Sequence, residues 1–154
     1  MRTPEENKEA AREFMERVMN KHDLAYAEES IADSFIEHNP LDPRMGGGKQ
    51  AAMATFEAMF AASPDTSAEI LDLVATGNRI AIRSRFTGTD SGTGWGAPMG
   101  APATGKSFAL EGIDVVIIGD DGKFTEHYGI FDVMGMMGQL GLLPAPGGAG
   151  EHEH

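Results

Sequence analysis

The stretch Leu110-Glu111-Gly112-Ile113-Asp114-Val115-Val116-Ile117-Ile118 constrains the chain more than any other. Apolar, largely β-branched residues dominate it, so it reads as the heart of a long strand over 106–118. Asp120-Asp121-Gly122 then supplies a hairpin turn, and 124–133 returns antiparallel. Upstream, Ile80, Ile82, Ser84 and Phe86 alternate with Ala81, Arg83, Arg85 and Thr87, the pattern of a half-exposed strand. Residues 66–75 are also β-like, and Thr76-Gly77-Asn78 turns the chain between the two. A meander of long strands with an apolar face must bury that face against another layer.

The N-terminal part supplies that layer. Thr3, Pro4 and Glu6 make a capping box with proline at the first helical position. Ala10, Ala11, Phe14, Met15, Val18 and Met19 follow at three- and four-residue spacing, one apolar stripe of a helix. A short helix is expected over 24–31, with Leu24, Ala27 and Ile31 inward. Phe35-Ile36-Glu37-His38-Asn39 reads as a short extended piece stopped by Pro40, and Pro43 with Gly46, Gly47 and Gly48 marks a loop. A third helix spans 49–62, with Ala52, Phe56, Met59 and Phe60 inward, and Asp132 caps a last short helix through 140. The plan is α+β: a cone-shaped barrel whose curved antiparallel sheet wraps over three N-terminal helices and leaves an internal pocket at its mouth.

With 154 residues the chain is long enough for one domain with a sizeable core. That domain is expected over 1–143, with Pro144-Ala145-Pro146-Gly147-Gly148 and the residues to 154 forming a flexible low-complexity tail. The formal net charge of −12 and the lack of a basic stripe argue against nucleic-acid binding. No run of 18 apolar residues is present, so no membrane span is expected, and the charged N-terminus points to the cytoplasm. The absence of cysteine excludes disulfides, thiolate metal sites and thiol nucleophiles. Outside the tail only His22, His38 and His127 could ligate a metal, at spacings of no ligand motif, so no metal is expected.

The informative residue is Asp114, an acid in an apolar strand whose neighbours on both faces are apolar. A carboxylate so covered is costly unless it is hydrogen-bonded or its pKa is raised, which is how acid/base catalysts are made. His127 lies on the returning strand and would form a His–carboxylate relay if the hairpin register pairs it with Asp114. Glu37 and His38 are adjacent, so only one of them can face a pocket. The loop over 88–105 is long and carries the sole tryptophan, Trp95.

A wider pattern runs through the chain. Val74-Ala75-Thr76-Gly77-Asn78-Arg79-Ile80-Ala81-Ile82-Arg83, Phe86-Thr87-Gly88-Thr89, Pro102-Ala103-Thr104-Gly105-Lys106, Gly112-Ile113-Asp114, Asp121-Gly122-Lys123-Phe124-Thr125-Glu126-His127-Tyr128 and Phe131-Asp132-Val133 occur in that order, with Phe35-Ile36-Glu37-His38-Asn39-Pro40 before them. Together they resemble the SnoaL-like polyketide cyclases, or ester cyclases, of the nuclear-transport-factor-like superfamily, over roughly 8–144. The resemblance implies a homodimer or homotetramer built through the sheet. It also implies a reaction without cofactor or metal, in which a pocket Asp closes a polyketide ring by aldol chemistry. At the position of that Asp this chain has Gly129, and two other pocket positions fall on Glu37 and Asp114.

The resulting expectation is an acid/base cyclase, isomerase or lyase acting on a hydrophobic, carbonyl-bearing small molecule. Asp114 is the base, with His127 or Glu37 as partner acid. Phe14, Met15, Met19, Phe56, Met59, Trp95 and Val116 are expected to shape the apolar wall. His38, Tyr128 and Gly129 complete the substrate-binding set, Tyr128 as a donor to an enolate. Two alternatives stand beside it: a binding protein that has lost its catalyst at Gly129, and an epoxide-hydrolase-like enzyme needing an Asp–Arg pair, for which Arg83 and Arg85 read as outward-facing.

Overall fold

A computed structural model describes residues 2–143. The expected tail beyond 143 lies outside the described residues. Helix α1 (Pro4–Phe14) starts on the Thr3–Glu6 capping box and continues as a π-helical turn over Met15–Asn20. The wider turn still buries Met15, Val18 and Met19. Then come α2 (Leu24–Ser30), β1 (Ile31–Glu37), α3 (Lys49–Ala62), β2 (Ser67–Thr76), β3 (Arg79–Thr89), β4 (Ser107–Ile118), β5 (Phe124–Phe131) and α4 (Val133–Gln139). Asp132 caps α4 by accepting from the Gly135 N–H.

The five strands form one sheet in the order β1-β5-β4-β3-β2. Four of them are the expected antiparallel meander; β1 joins its edge parallel to β5. This corrects the reading of an all-antiparallel sheet with an isolated extended piece. Ile31 ends the second helix and opens this strand, and it is buried together with Ala32 and Phe35. Burial of those side chains on the helices holds the segment extended. The loop before α3 then closes on it: the Glu37 N–H donates to the Gly47 carbonyl at 2.7 Å. A Cβ at Gly47 would lie 2.9 Å from the Glu37 carbonyl oxygen, so the close approach requires glycine there.

The inner face of the sheet carries Ile80, Ile82, Ser84, Phe86, Asp114, Val116 and Ile118, all buried. They face Ala11, Met15, Val18 and Met19 of the first helix and Phe60 of α3 in one core. A smaller cluster of Phe108, Met136 and Leu140 lies under α4, with Trp95 packed against it. The outer face is open, with Val74, Ile113 and Ile130 62%, 55% and 75% exposed. Asp114 is therefore covered on its own face only, which corrects the reading that both faces of β4 are buried. Among the described residues no helix is long and apolar enough to cross a membrane.

Candidate active site

Strand alternation and register together build the site. In the β4–β5 pair Asp114 lies opposite Gly129 and Val116 opposite His127, so Asp114 and His127 are diagonal neighbours on the inner face. In the β1–β5 pair Glu37 lies opposite His127. The imidazole is thus reached from both sides. Its Nε2 lies 2.5 Å from Asp114 Oδ1, and its Nδ1 lies 2.7 and 2.8 Å from the two Glu37 oxygens. The side chains of Glu37, His127 and Asp114 are 16%, 21% and 9% exposed, so the relay sits at the rim of the core with a narrow reach to solvent.

Burial of His127 opposes its charged form, but the hydrogen bonds and charges of Asp114 and Glu37 outweigh it and lift its pKa to about 9. At neutral pH the ring is an imidazolium donating to a carboxylate through each nitrogen. The burial cost of Asp114 is offset by this charge-assisted bond. Among the described residues Asp114 Oδ2 makes no hydrogen bond, which leaves one oxygen of the pair for a ligand.

Gly129 is the position that permits the arrangement. A Cβ there would lie 2.6 Å from His127 Cε1 and 2.9 Å from Asp114 Oδ1. The imidazole lies across the bare glycine to reach Asp114, and a side chain at 129 would occupy the same space.

Asn39 belongs to the same constellation, although the sequence reading did not single it out. Its backbone N–H donates to Glu37 Oε2 at 3.0 Å and its Oδ1 accepts from the Gly129 N–H at 3.1 Å. It ties the segment carrying Glu37 to the strand carrying His127. The available signal was its spacing of two from Glu37, which places both on one side of an extended chain.

Other expected contacts fall elsewhere. His38 points to the outer face, where its ring stacks on Tyr128 at 4.1 Å and its Nε2 meets Glu126 Oε1 at 2.8 Å. Neither His38 nor Tyr128 faces the relay, because each is one residue removed from a member of it and strands alternate. Trp95 is anchored away from the mouth: its Nε1 donates to Ser63 Oγ at 2.8 Å and its ring meets Phe108 edge-on. Val116 lies beside His127, whereas Phe14, Met15, Met19, Phe56 and Met59 pack with it into the main core. Met15 and Met19 are buried there, and Phe14, Phe56 and Met59 are half-buried against it. An open cavity of about 540 Å³ lies instead on the helical side, among Glu28, Asp33, Lys49 and Glu57. Arg83 pairs with Asp72 and Glu111 on the outer face, and Arg85 with Glu111 and Glu69.

One buried polar atom stays unexplained by packing. Ser84 is 0% exposed, and among the described residues its Oγ is the one buried side-chain atom with no hydrogen-bond partner. An orphaned buried hydroxyl costs about 1–3 kcal/mol.

A family model for the SnoaL-like polyketide cyclase matches residues 9–140. The chain belongs to the SnoaL-like polyketide cyclase family. Solved structures of this SnoaL-like fold include TsrD from Streptomyces laurentii, 24% identical with a TM-score of 0.78, covering 93% of this chain and 100% of that one. IdmH from Streptomyces antibioticus, described as a candidate polyketide cyclase, is 28% identical with a TM-score of 0.74, over 88% of this chain and 98% of its own. An LEH-like epoxide hydrolase of M. tuberculosis is 15% identical, with a TM-score of 0.67 over 89% of this chain and 90% of that one, and shares the fold. No curated protein matches the chain. On this SnoaL-like frame the chain carries the Glu37–His127–Asp114 relay and the glycine that makes room for it.

Proposed function

We propose that this SnoaL-like protein is a cofactor-independent acid/base catalyst acting on a hydrophobic, carbonyl-bearing small molecule of polyketide type, with Asp114 as the base. The observation that carries the proposal is the carboxylate–imidazolium–carboxylate relay at the rim of an apolar core. Asp114 Oδ2 takes a proton from the carbon next to a carbonyl, and the C–H electron pair moves into an enolate. In a cyclisation the enolate carbon attacks a second carbonyl of the same molecule, forming a C–C bond and an alkoxide. The alkoxide takes the proton back from Asp114; in an isomerisation a different carbon does so. Each turnover leaves the enzyme as it began, with no external acid consumed. His127 donates to Asp114 Oδ1 and holds the carboxylate in place, and Glu37 with Asn39 fixes the ring. The place of the family's aspartate is read as Gly129, with the acidic function moved to neighbouring walls.

The test is hydrogen–deuterium exchange at the α-carbons of 2-tetralone in D₂O, followed by NMR, for the wild type and Asp114→Asn. Catalysed exchange that Asp114→Asn abolishes is the expected result. Exchange equal in both, or tight ketone binding without exchange, overturns the assignment, and the latter outcome makes the protein a binder. The epoxide-hydrolase reading is weaker, because both candidate arginines are committed to outer-face ion pairs.

The same reading includes a homodimer formed through the sheet, supported by the exposed apolar side chains of Val74, Ile113 and Ile130. Ile130→Glu, compared with the wild type by sedimentation, is expected to yield monomer. A cytoplasmic location and the lack of a nucleic-acid partner complete the reading, the latter supported by the net charge of −12.

A further inference from the structure

The general-base reading leaves one requirement without a residue: a donor for the oxygen on which enolate charge accumulates. Both imidazole nitrogens of His127 are already engaged by carboxylates. Tyr128 faces the other side of the sheet, stacked on His38. We infer that Ser84 is that donor, its hydroxyl binding the carbonyl oxygen of the substrate while Asp114 removes the neighbouring proton. The inference rests on the acid/base assignment of Asp114 and adds to it the group that holds the substrate.

Three observations carry it. Ser84 Oγ is wholly buried and unpaired among the described residues, although Ile82 and Phe86 on the same strand face make an apolar residue the natural occupant. Its register places it beside the base: Ser84 lies opposite Gly112, and Asp114, two residues further along β4, lies opposite Ile82. Diagonal neighbours of this kind have Cβ atoms about 7 Å apart or somewhat less. One Cα–C=O unit bridges such a gap, with its α-hydrogen toward Asp114 and its oxygen toward Ser84. The third observation is what separates them. Gly112 has no side chain, and the space its Cβ would take is filled by the ring of Phe131, whose Cδ1 lies 2.2 Å from that point. Phe131 is half-buried and rests edge-on against Phe86. Substrate binding requires this ring to turn aside, which would bare the Gly112 backbone between the hydroxyl and the carboxylate.

The probes are 2-naphthol, a flat ring carrying an enol-like oxygen, and naphthalene, the same ring without it. Their dissociation constants are measured by fluorescence for the wild type and Ser84→Ala, alongside 2-tetralone exchange. The wild type is expected to prefer 2-naphthol, and Ser84→Ala to bind it at least tenfold more weakly with naphthalene unchanged. The exchange rate of Ser84→Ala falls about tenfold, yet its melting temperature is no lower than the wild type's, because the variant removes an unpaired buried hydroxyl. Equal 2-naphthol affinities in the two proteins, or a wild type with no preference over naphthalene, overturn the role of Ser84. Asp114→Asn separates the two claims. If it abolishes exchange while Ser84→Ala changes nothing, only the donor assignment fails. If Asp114→Asn exchanges normally, the base assignment itself has failed.

Discussion

Two aspartates of this chain are buried, and they are buried in opposite ways. Asp90 opens the loop between β3 and β4 and is 0% exposed. Its carboxylate accepts from the Trp95 and Thr104 N–H groups and from the Thr104 hydroxyl, all at 2.8–2.9 Å. Burial pushes its carboxyl up, but these donors together outweigh it and hold the pKa below the usual aspartate value. Every donor is fixed by the loop, so the carboxylate works as a staple. Asp114 is 6% exposed, and its partner among the described residues is a single side chain, itself an imidazolium held by a second carboxylate. Burial alone therefore does not mark a catalytic acid. What distinguishes Asp114 is a titratable side-chain partner and an oxygen left over.

That contrast can be broken most decisively at Asp114. Asp114→Asn is expected to reduce 2-tetralone exchange by about 10²–10⁴-fold, the usual worth of a positioned base, in protein verified as folded by its melting transition. Asp90→Ala should do the reverse. It strands two backbone N–H groups and is expected to lower the unfolding free energy by about 3 kcal/mol in urea titration, while the folded fraction retains exchange activity. An Asp90→Ala protein as stable as the wild type would remove the staple from the comparison.

The two sites also differ in the pH range over which they stabilise the fold. The folded pKa of His127 is raised to about 9 from 6.5. Its contribution is thus fully present below pH 6.5 and is lost as pH rises through about 9. The corresponding free energy is on the order of 3 kcal/mol. The wild type should therefore lose its stability advantage over His127→Gln between pH 6.5 and 9. Asp90 contributes at the other end: its lowered pKa stabilises above the normal aspartate range and fades as pH falls through the folded value. A His127 ring that titrates by NMR near 6.5 would contradict the paired imidazolium.

The smallest effect tests Gly129. Gly129→Ala drives a methyl to within 2.6 Å of His127 Cε1, and the ring must leave Asp114. Exchange activity should fall about tenfold, the worth of roughly 1.4 kcal/mol in the barrier, with the fold retained. Unchanged activity would show that contact between His127 and Asp114 is dispensable.

Much of the scaffold was legible in the sequence because it follows from local periodicity. The Thr3–Glu6 box, the α3 limits and the Asp120-Asp121-Gly122 turn are short-range signals, and each stands where the sequence placed it. The hairpin offset then placed His127 on the same face as Asp114. The partner of β1 was not legible, because a parallel edge strand is chosen by long-range packing and its hydrogen bonds leave no repeat in the sequence. Without that pairing Glu37 and Asn39 have no reason to meet His127. Nor could periodicity tell a pocket wall from a filled core: Phe14, Met15 and Met19 have the same spacing in either case.

By itself the amino-acid order determined which residues share a face, since that depends only on the helical and strand repeats and on where turns interrupt them. Only the tertiary structure decided which faces meet. It brought two acids and a histidine from three strands into contact, stapled one aspartate and left another with an oxygen to spare, because those outcomes depend on separations of ångströms that strand pairing and packing set across the whole chain.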